Sequence, residues 1–242
     1  MTCLKFYHFL LASAAFDLGL ECTGGFETVA FCEIEPRARR VLAKHWPEVP
    51  IYEDVCSLDS ARLARDGIVI DAIVGGFPCQ DISSAGDRAG LVGNRSGLWF
   101  QMARIIGEIR PRFVIVENVA ELLANGFGDV LRSLASIGYD AEWDCIPAAA
   151  VGAPHLRDRV WVIAHPQEEP GLYESNAWES AKRLLNKPSY WQANPWRSTD
   201  AALCRVDDGP ARRVDRTEEC GNAVVPQIPE LIGRAILASM AS

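Results

Sequence analysis

Cys79 stands in the hexapeptide Gly75-Gly76-Phe77-Pro78-Cys79-Gln80, directly after the apolar run 68–74. The two glycines permit close backbone approach, and Pro78 fixes its own φ while pushing Phe77 towards an extended conformation, a frame that presents a thiol at a strand tip. An acid follows a second apolar run, in Glu117-Asn118-Val119. Arg157 and Arg159, in His155-Leu156-Arg157-Asp158-Arg159, alternate on entry to a third run, which predicts side chains on one face of a strand. Glu33 closes a fourth run. A thiol with an acid and two guanidiniums near it has the makings of covalent catalysis. Each residue also has a plainer reading: Cys79 as a small buried hydrophobe, Glu117 as a paired or solvated acid, the arginines as surface salt-bridge partners.

The runs that carry these residues predict the scaffold. Residues 4–11, 28–34, 49–52, 68–74, 112–116, 141–147 and 159–164 read as strands. Between them, 16–22, 37–46 (opened by Pro36), 98–108 and 129–137 read as helices, and a final helix spans 226–240. This alternation predicts an α/β fold, a doubly wound and mostly parallel sheet, in which ligands bind outside the carboxyl ends of the strands. Residues 81–97, with four glycines among polar side chains, read as a long functional loop. From His165 to about Cys220 the apolar periodicity fades, and Trp178, Tyr190, Trp191 and Trp196 alternate with basic residues. The expected organisation is a catalytic body of 1–165 plus 221–242, with a small irregular module at 166–220.

Composition narrows the function classes. The 242 residues carry a net charge of −8, which argues against a general polyanion binder. The acidity sits in the first third, whereas 81–112 holds Arg88, Arg95, Arg104, Arg110 and Arg112 against Asp81, Asp87 and Glu108. Eight cysteines without a CxxC pair read as reduced, mostly structural thiols, and no zinc-type spacing occurs, so no metal is expected. No membrane span or secretory signal is evident, and the expected location is cytoplasmic.

Taken in order, the motifs resemble those of the DNA (cytosine-5)-methyltransferases of bacteria and phages. Gly75 to Gln80 is similar to the family's Pro-Cys motif, Glu117-Asn118-Val119 to its Glu-Asn-Val motif, Arg157-Asp158-Arg159 to its Arg-x-Arg motif, and Gly221-Asn222-Ala223-Val224 to its C-terminal motif. The resemblance implies a methyltransferase fold, S-adenosyl-L-methionine as cofactor and double-stranded DNA as partner, with a cognate restriction endonuclease as a further one. It implies that Cys79 adds to C6 of a flipped cytosine, that Glu117 contacts N3 and the exocyclic amine, and that Arg159 and Arg157 support the base and the geometry. Cofactor contacts carried over in the same way are Leu10, Ala12, Ala14 and Phe16 at the first turn, and Glu33 and Ile34 at the ribose position. Asp54 and Val55 fall at the adenine, with Pro78, Leu98, Asn222, Ala223 and Val224 completing the set. DNA contacts would come from Gln80, Ser83, Arg88 and Arg95 in the 81–97 loop region, and from Lys182, Arg183, Lys187 and Arg197 in a short target-recognition region.

One stretch departs from the family pattern. Where a glycine-rich turn is expected, the chain has Ala12, Ala14 and Ala15, and a non-glycine residue at left-handed angles costs roughly 1–2 kcal/mol. Two functions follow: an active methyltransferase, or a cofactor-impaired relative that binds DNA without methylating it. An unrelated thiol enzyme is a third, short of a base, since only His155 falls near the proposed site. Calorimetric titration with S-adenosylmethionine separates the first two. The active enzyme binds the cofactor as it stands, and the impaired relative gains binding through Ala12→Gly, Ala14→Gly and Ala15→Gly.

Overall fold

The computed structural model describes residues 3–9, 14–77, 97–153, 155–167, 181 and 224–240. Seven strands form one sheet: β1 (Leu4–Phe9), β2 (Phe26–Cys32), β3 (Ile51–Tyr52), β4 (Ala72–Gly76), β5 (Phe113–Val119), β6 (Tyr139–Cys145) and β7 (Arg159–Pro166). Their order is β3-β2-β1-β4-β5-β7-β6. The first five in that order are parallel, and β7 runs antiparallel to both β5 and β6. The predicted doubly wound, mostly parallel sheet is present, with an antiparallel hairpin at one edge.

Helices cover both faces, which is why β4 and β5 are apolar nearly throughout rather than alternating. On one face lie α3 (Ser60–Arg65), α4 (Gly97–Ile109) and α5 (Phe127–Ser136), which bury Leu63, Trp99, Met102, Ile106, Phe127 and Val130 against Tyr7, Phe9, Val114 and Val116. On the other, α1 (Ala15–Glu21) and α6 (Gln227–Ser239) bury Phe16, Leu20, Ile228, Leu231 and Ile232 against Phe6, Val74, Ile115 and Trp161. The final helix thus packs back on the main body as expected. α2 (Pro36–His45) starts on Pro36, whose missing N–H costs nothing at a first helical turn.

Two expectations need correction. The strand predicted at 68–74 is Ala72–Gly76, and Val69 is exposed. Its neighbour explains this. β1 begins to pair with β4 only at Phe6 and Ala72, while Asp71 closes the ladder below, accepting from the Lys5 N–H through Oδ2 and donating its own N–H to the Lys5 carbonyl. Consequently Gly75 and Gly76 belong to the strand rather than to a turn after it. Second, Cys32 is buried, but Cys3, Cys22, Cys56 and Cys145 are exposed, because they sit at element ends and on the outermost strand. β7 runs on to Pro166, two residues past the predicted strand end at 164, and Ala181 is buried in the core of the α1/α6 face.

Gly75 has a φ of 148° and is opposite Phe9, whose carbonyl oxygen a Cβ at Gly75 would overlap. Gly75→Ala must therefore push β4 away from β1. The expected loss is about 3 kcal/mol or more of folding stability, measured as a lowered urea midpoint.

Candidate active site

The chain reaches the site through the carboxyl ends of β4 and β5. Gly76 pairs with Glu117 on one side, and Trp161 pairs with it on the other. Glu117 and Asn118 were expected just beyond a strand, but β7 continues the ladder to Val119 and Arg159, so both lie within β5. That placement buries Glu117 to 8% exposure. Gly76 makes room for it: a Cβ there would stand 2.9 Å from the Glu117 carbonyl oxygen and 3.5 Å from Oε2.

Arg159, the first residue of β7, brings Nε to 2.9 Å from Glu117 Oε1. Arg157 does not alternate with it along a strand. It precedes β7 and takes a left-handed φ of 39°, where a side chain is strained. Its charge nevertheless acts on Glu117. Burial pushes the Glu117 carboxyl up from 4.5 to about 7, and Arg159 and then Arg157 pull against that rise. The carboxyl thus changes its proton near neutral pH.

Asn118 is a residue that motif reading quoted without assigning it a role. Its Nδ2 donates to the Phe77 carbonyl at 3.2 Å, and its Oδ1 accepts from the Val119 N–H at 2.9 Å. Phe77 itself packs against Trp99. The backbone two residues ahead of Cys79 is therefore tied to the strand that carries the acid.

Four of the expected cofactor residues, Glu33, Ile34, Asp54 and Val55, follow the carboxyl ends of β2 and β3. Glu33 follows β2; its N–H donates to the Tyr52 carbonyl, and its Oε1 accepts from the Glu35 N–H at 2.8 Å. Arg39, which the sequence did not single out, donates to the carbonyls of Glu33 and Ile34 and pairs with Glu53. Ile34 is held 60% exposed beside the acid. Asp54 Oδ1 accepts from the Cys56 N–H, Val55 is buried, and Arg104 of α4 donates to the carbonyls of Val55 and Leu58. Leu98 packs half-buried against the core, Val224 is buried just ahead of α6, and Phe16 is fully buried against His8 and Trp161.

The alanine turn needs revision. Ala14 has φ −43° and ψ −16°, and Ala15 is the first residue of α1, so both hold right-handed helical angles and no left-handed penalty applies to them. The residues present fit an adenosyl donor: a buried acid after β2, an exposed isoleucine next to it and an aspartate-capped turn after β3. Leu10, Ala12, Pro78, Cys79, Gln80, Ser83, Arg88, Arg95, Lys182, Arg183, Lys187, Arg197, Asn222 and Ala223 lie outside the described residues. Among the described residues no group of acidic, histidine or cysteine side chains is arranged to hold a metal ion, and no helix is long and apolar enough to cross a membrane.

A seven-stranded, mostly parallel sheet with this order and an antiparallel penultimate strand, covered by helices on both faces, defines a methyltransferase-type fold. A Spodoptera frugiperda DNMT2 variant shares that fold with a TM-score of 0.58 at 16% identity, over 72% of this chain and 53% of that one. The family model for C-5 cytosine-specific DNA methylases matches residues 8–195. The chain belongs to that family, whose fold is that of S-adenosylmethionine-dependent methyltransferases. It is 34% identical to the Type II methyltransferase M2.BsuMI of Bacillus subtilis over 72% of this chain and 45% of that protein. It is 31% identical to the orphan methyltransferase M.SPRI of Bacillus phage SPR over 72% and 40%. The chain thus spans less than half the length of either curated relative.

The raised Glu117 carboxyl makes folding take up a proton. Its stabilising contribution is fully present below pH 4.5 and is lost as pH rises through about 7. Relative to Glu117→Gln, the wild-type protein is expected to lose stability between about pH 5 and about pH 8, by up to roughly 3 kcal/mol, read from paired thermal melts. A constant difference between the melts would contradict the raised value.

Proposed function

We propose that this chain is the catalytic body of a DNA (cytosine-5-)-methyltransferase. The observation that carries the reading is Glu117: a carboxyl that changes its proton near pH 7, set between Gly76 of the thiol-bearing segment and Arg159. S-adenosyl-L-methionine, when bound, supplies the methyl group; Glu33, Ile34, Asp54 and Val55 would hold its adenosine half, and Phe16, Leu98 and Val224 would lie along the rest.

The chain's own residues prepare the base. C5 of cytosine is a weak nucleophile, and the Cys79 thiolate overcomes this by adding to C6, with one S–C bond formed and the C5–C6 double bond opened. Electron density moves into the ring. Glu117 in its neutral form gives a proton to N3 as that happens and its anion, beside Arg159, is ready to take the proton back. After C5 is methylated, loss of the C5 proton expels Cys79 and restores the aromatic ring. The target must leave the helical stack to be reached, so the enzyme flips it, with the 81–97 loop as the segment that closes over it. Residues 166–220 serve as the target-recognition region, where Lys182, Arg183, Lys187 and Arg197 contact double-stranded DNA. A restriction-modification setting fits the Type II name of the B. subtilis relative, and the proposal adds a cytoplasmic location and an endonuclease that reads the same site.

The test is transfer of labelled methyl from S-adenosylmethionine to mixed-sequence duplex DNA, followed by sequencing of the modified positions. Cys79→Ala should abolish transfer. Glu117→Gln should lower it by about a hundredfold or more, and the wild-type rate should fall above about pH 7 where that of the variant does not. Wild-type protein that binds the cofactor and DNA but transfers no methyl would sink this reading in favour of a binding-only relative.

A further inference from the structure

His8 and Asp17 form a buried pair that the chemistry above does not use. His8 is on β1, and its side chain faces the layer that holds Phe6, Phe16 and Val74; Asp17 is in the first turn of α1. Nδ1 of the histidine lies 2.7 Å from Oδ2 of the aspartate, with the two side chains 5% and 0% exposed. Neither His8 Nε2 nor Asp17 Oδ1 has a hydrogen-bond partner among the described residues.

Such a pair is costly. The surroundings are aromatic and aliphatic: the His8 ring packs on Phe16 at 5.6 Å and on Phe31 at 6.1 Å between centroids. Apolar side chains of equal volume would remove two unsatisfied polar atoms and a buried carboxyl, and such replacements of buried pairs are often neutral or stabilising for folding. What apolar side chains do not supply is direction. A hydrogen bond is satisfied at one separation and one angle, so this one sets how the first turn of α1 sits against the end of β1. Only residues 10–14 connect the two elements, and they include the turn where the cofactor is expected.

The pair is also linked by contact to the catalytic acid. His8 touches Phe16, Phe16 packs on Trp161 at 5.5 Å, and Trp161 is the cross-strand partner of Glu117. We propose that His8 and Asp17 are positioning residues for the methyl donor: their bond fixes the departure of α1 from β1 and holds the Phe16 ring between the donor site and Trp161. This rests on the methyltransferase reading above.

The experiment compares binding of S-adenosylmethionine, by titration calorimetry, across four proteins. His8→Asn keeps an amide nitrogen near the Nδ1 position and should bind within about twofold of wild type. His8→Gln puts its amide near Nε2 instead, away from Asp17, and should bind about tenfold more weakly. The double variant His8→Phe with Asp17→Leu should melt at or above the wild-type temperature and still bind about tenfold more weakly, with KM for the cofactor raised and KM for DNA unchanged. A purely structural pair would shift melting temperatures without that selective loss. Equal affinities for His8→Asn and His8→Gln, or a folded double variant that binds like wild type, would overturn the proposal alone. A wild-type chain that binds no S-adenosylmethionine overturns the methyltransferase reading together with it.

Discussion

The register between β4, β5 and β7 is the constraint on which the rest depends. It sets Gly76, Glu117 and Trp161 side by side, with Arg159 two pairs further along. A carboxyl in that row is cut off from water, and burial is the largest influence on its proton affinity. A side chain at position 76 would crowd it, and a shift of one residue in β7 would turn Arg159 to the opposite face of the sheet. The Asn118 bond to the Phe77 carbonyl, two residues ahead of Cys79, is made next to this row.

Strain and desolvation are concentrated at the same edge. Arg157 has a left-handed backbone, Gly75 has a conformation closed to other residues, and Glu117 has a displaced proton equilibrium. Such features persist only where the surrounding structure over-determines them. Here two apolar layers do so: one built on α3, α4 and α5, the other on α1 and α6. The adenosine side of the site is fixed more cheaply, through backbone contacts from Arg39 and Arg104 that hold two short loops without burying a charge deeply.

Strong periodicity made the scaffold readable. β5, β7 and α6 carry apolar patterns long enough to declare themselves, and Pro36 announced the start of α2 to the residue. Errors arose where a neighbour rather than the local pattern decides. Residues 68–70 are as β-prone as those that follow, yet no strand is available beside them, because pairing between β1 and β4 begins at Phe6 and Ala72. Likewise Glu117 was expected past the end of a strand, since nothing within the segment foretells that β7 returns alongside it. The alanine turn was weighed as though all its positions needed glycine angles, whereas Ala14 and Ala15 already follow the helix.

By itself the sequence determined the residue types and their order: an acid, a thiol in a glycine-proline frame, a second acid and two arginines, each attached to an apolar run, and with them the family. Covalent order and local propensity are sufficient for that. Tertiary structure alone decided that Glu117 is desolvated into a group that exchanges its proton near neutrality, that Asn118 ties down the thiol segment, and that His8 meets Asp17 across a turn. These depend on which groups remain near one another once water is excluded, and that distance is set by strand register and helix packing rather than by position along the chain.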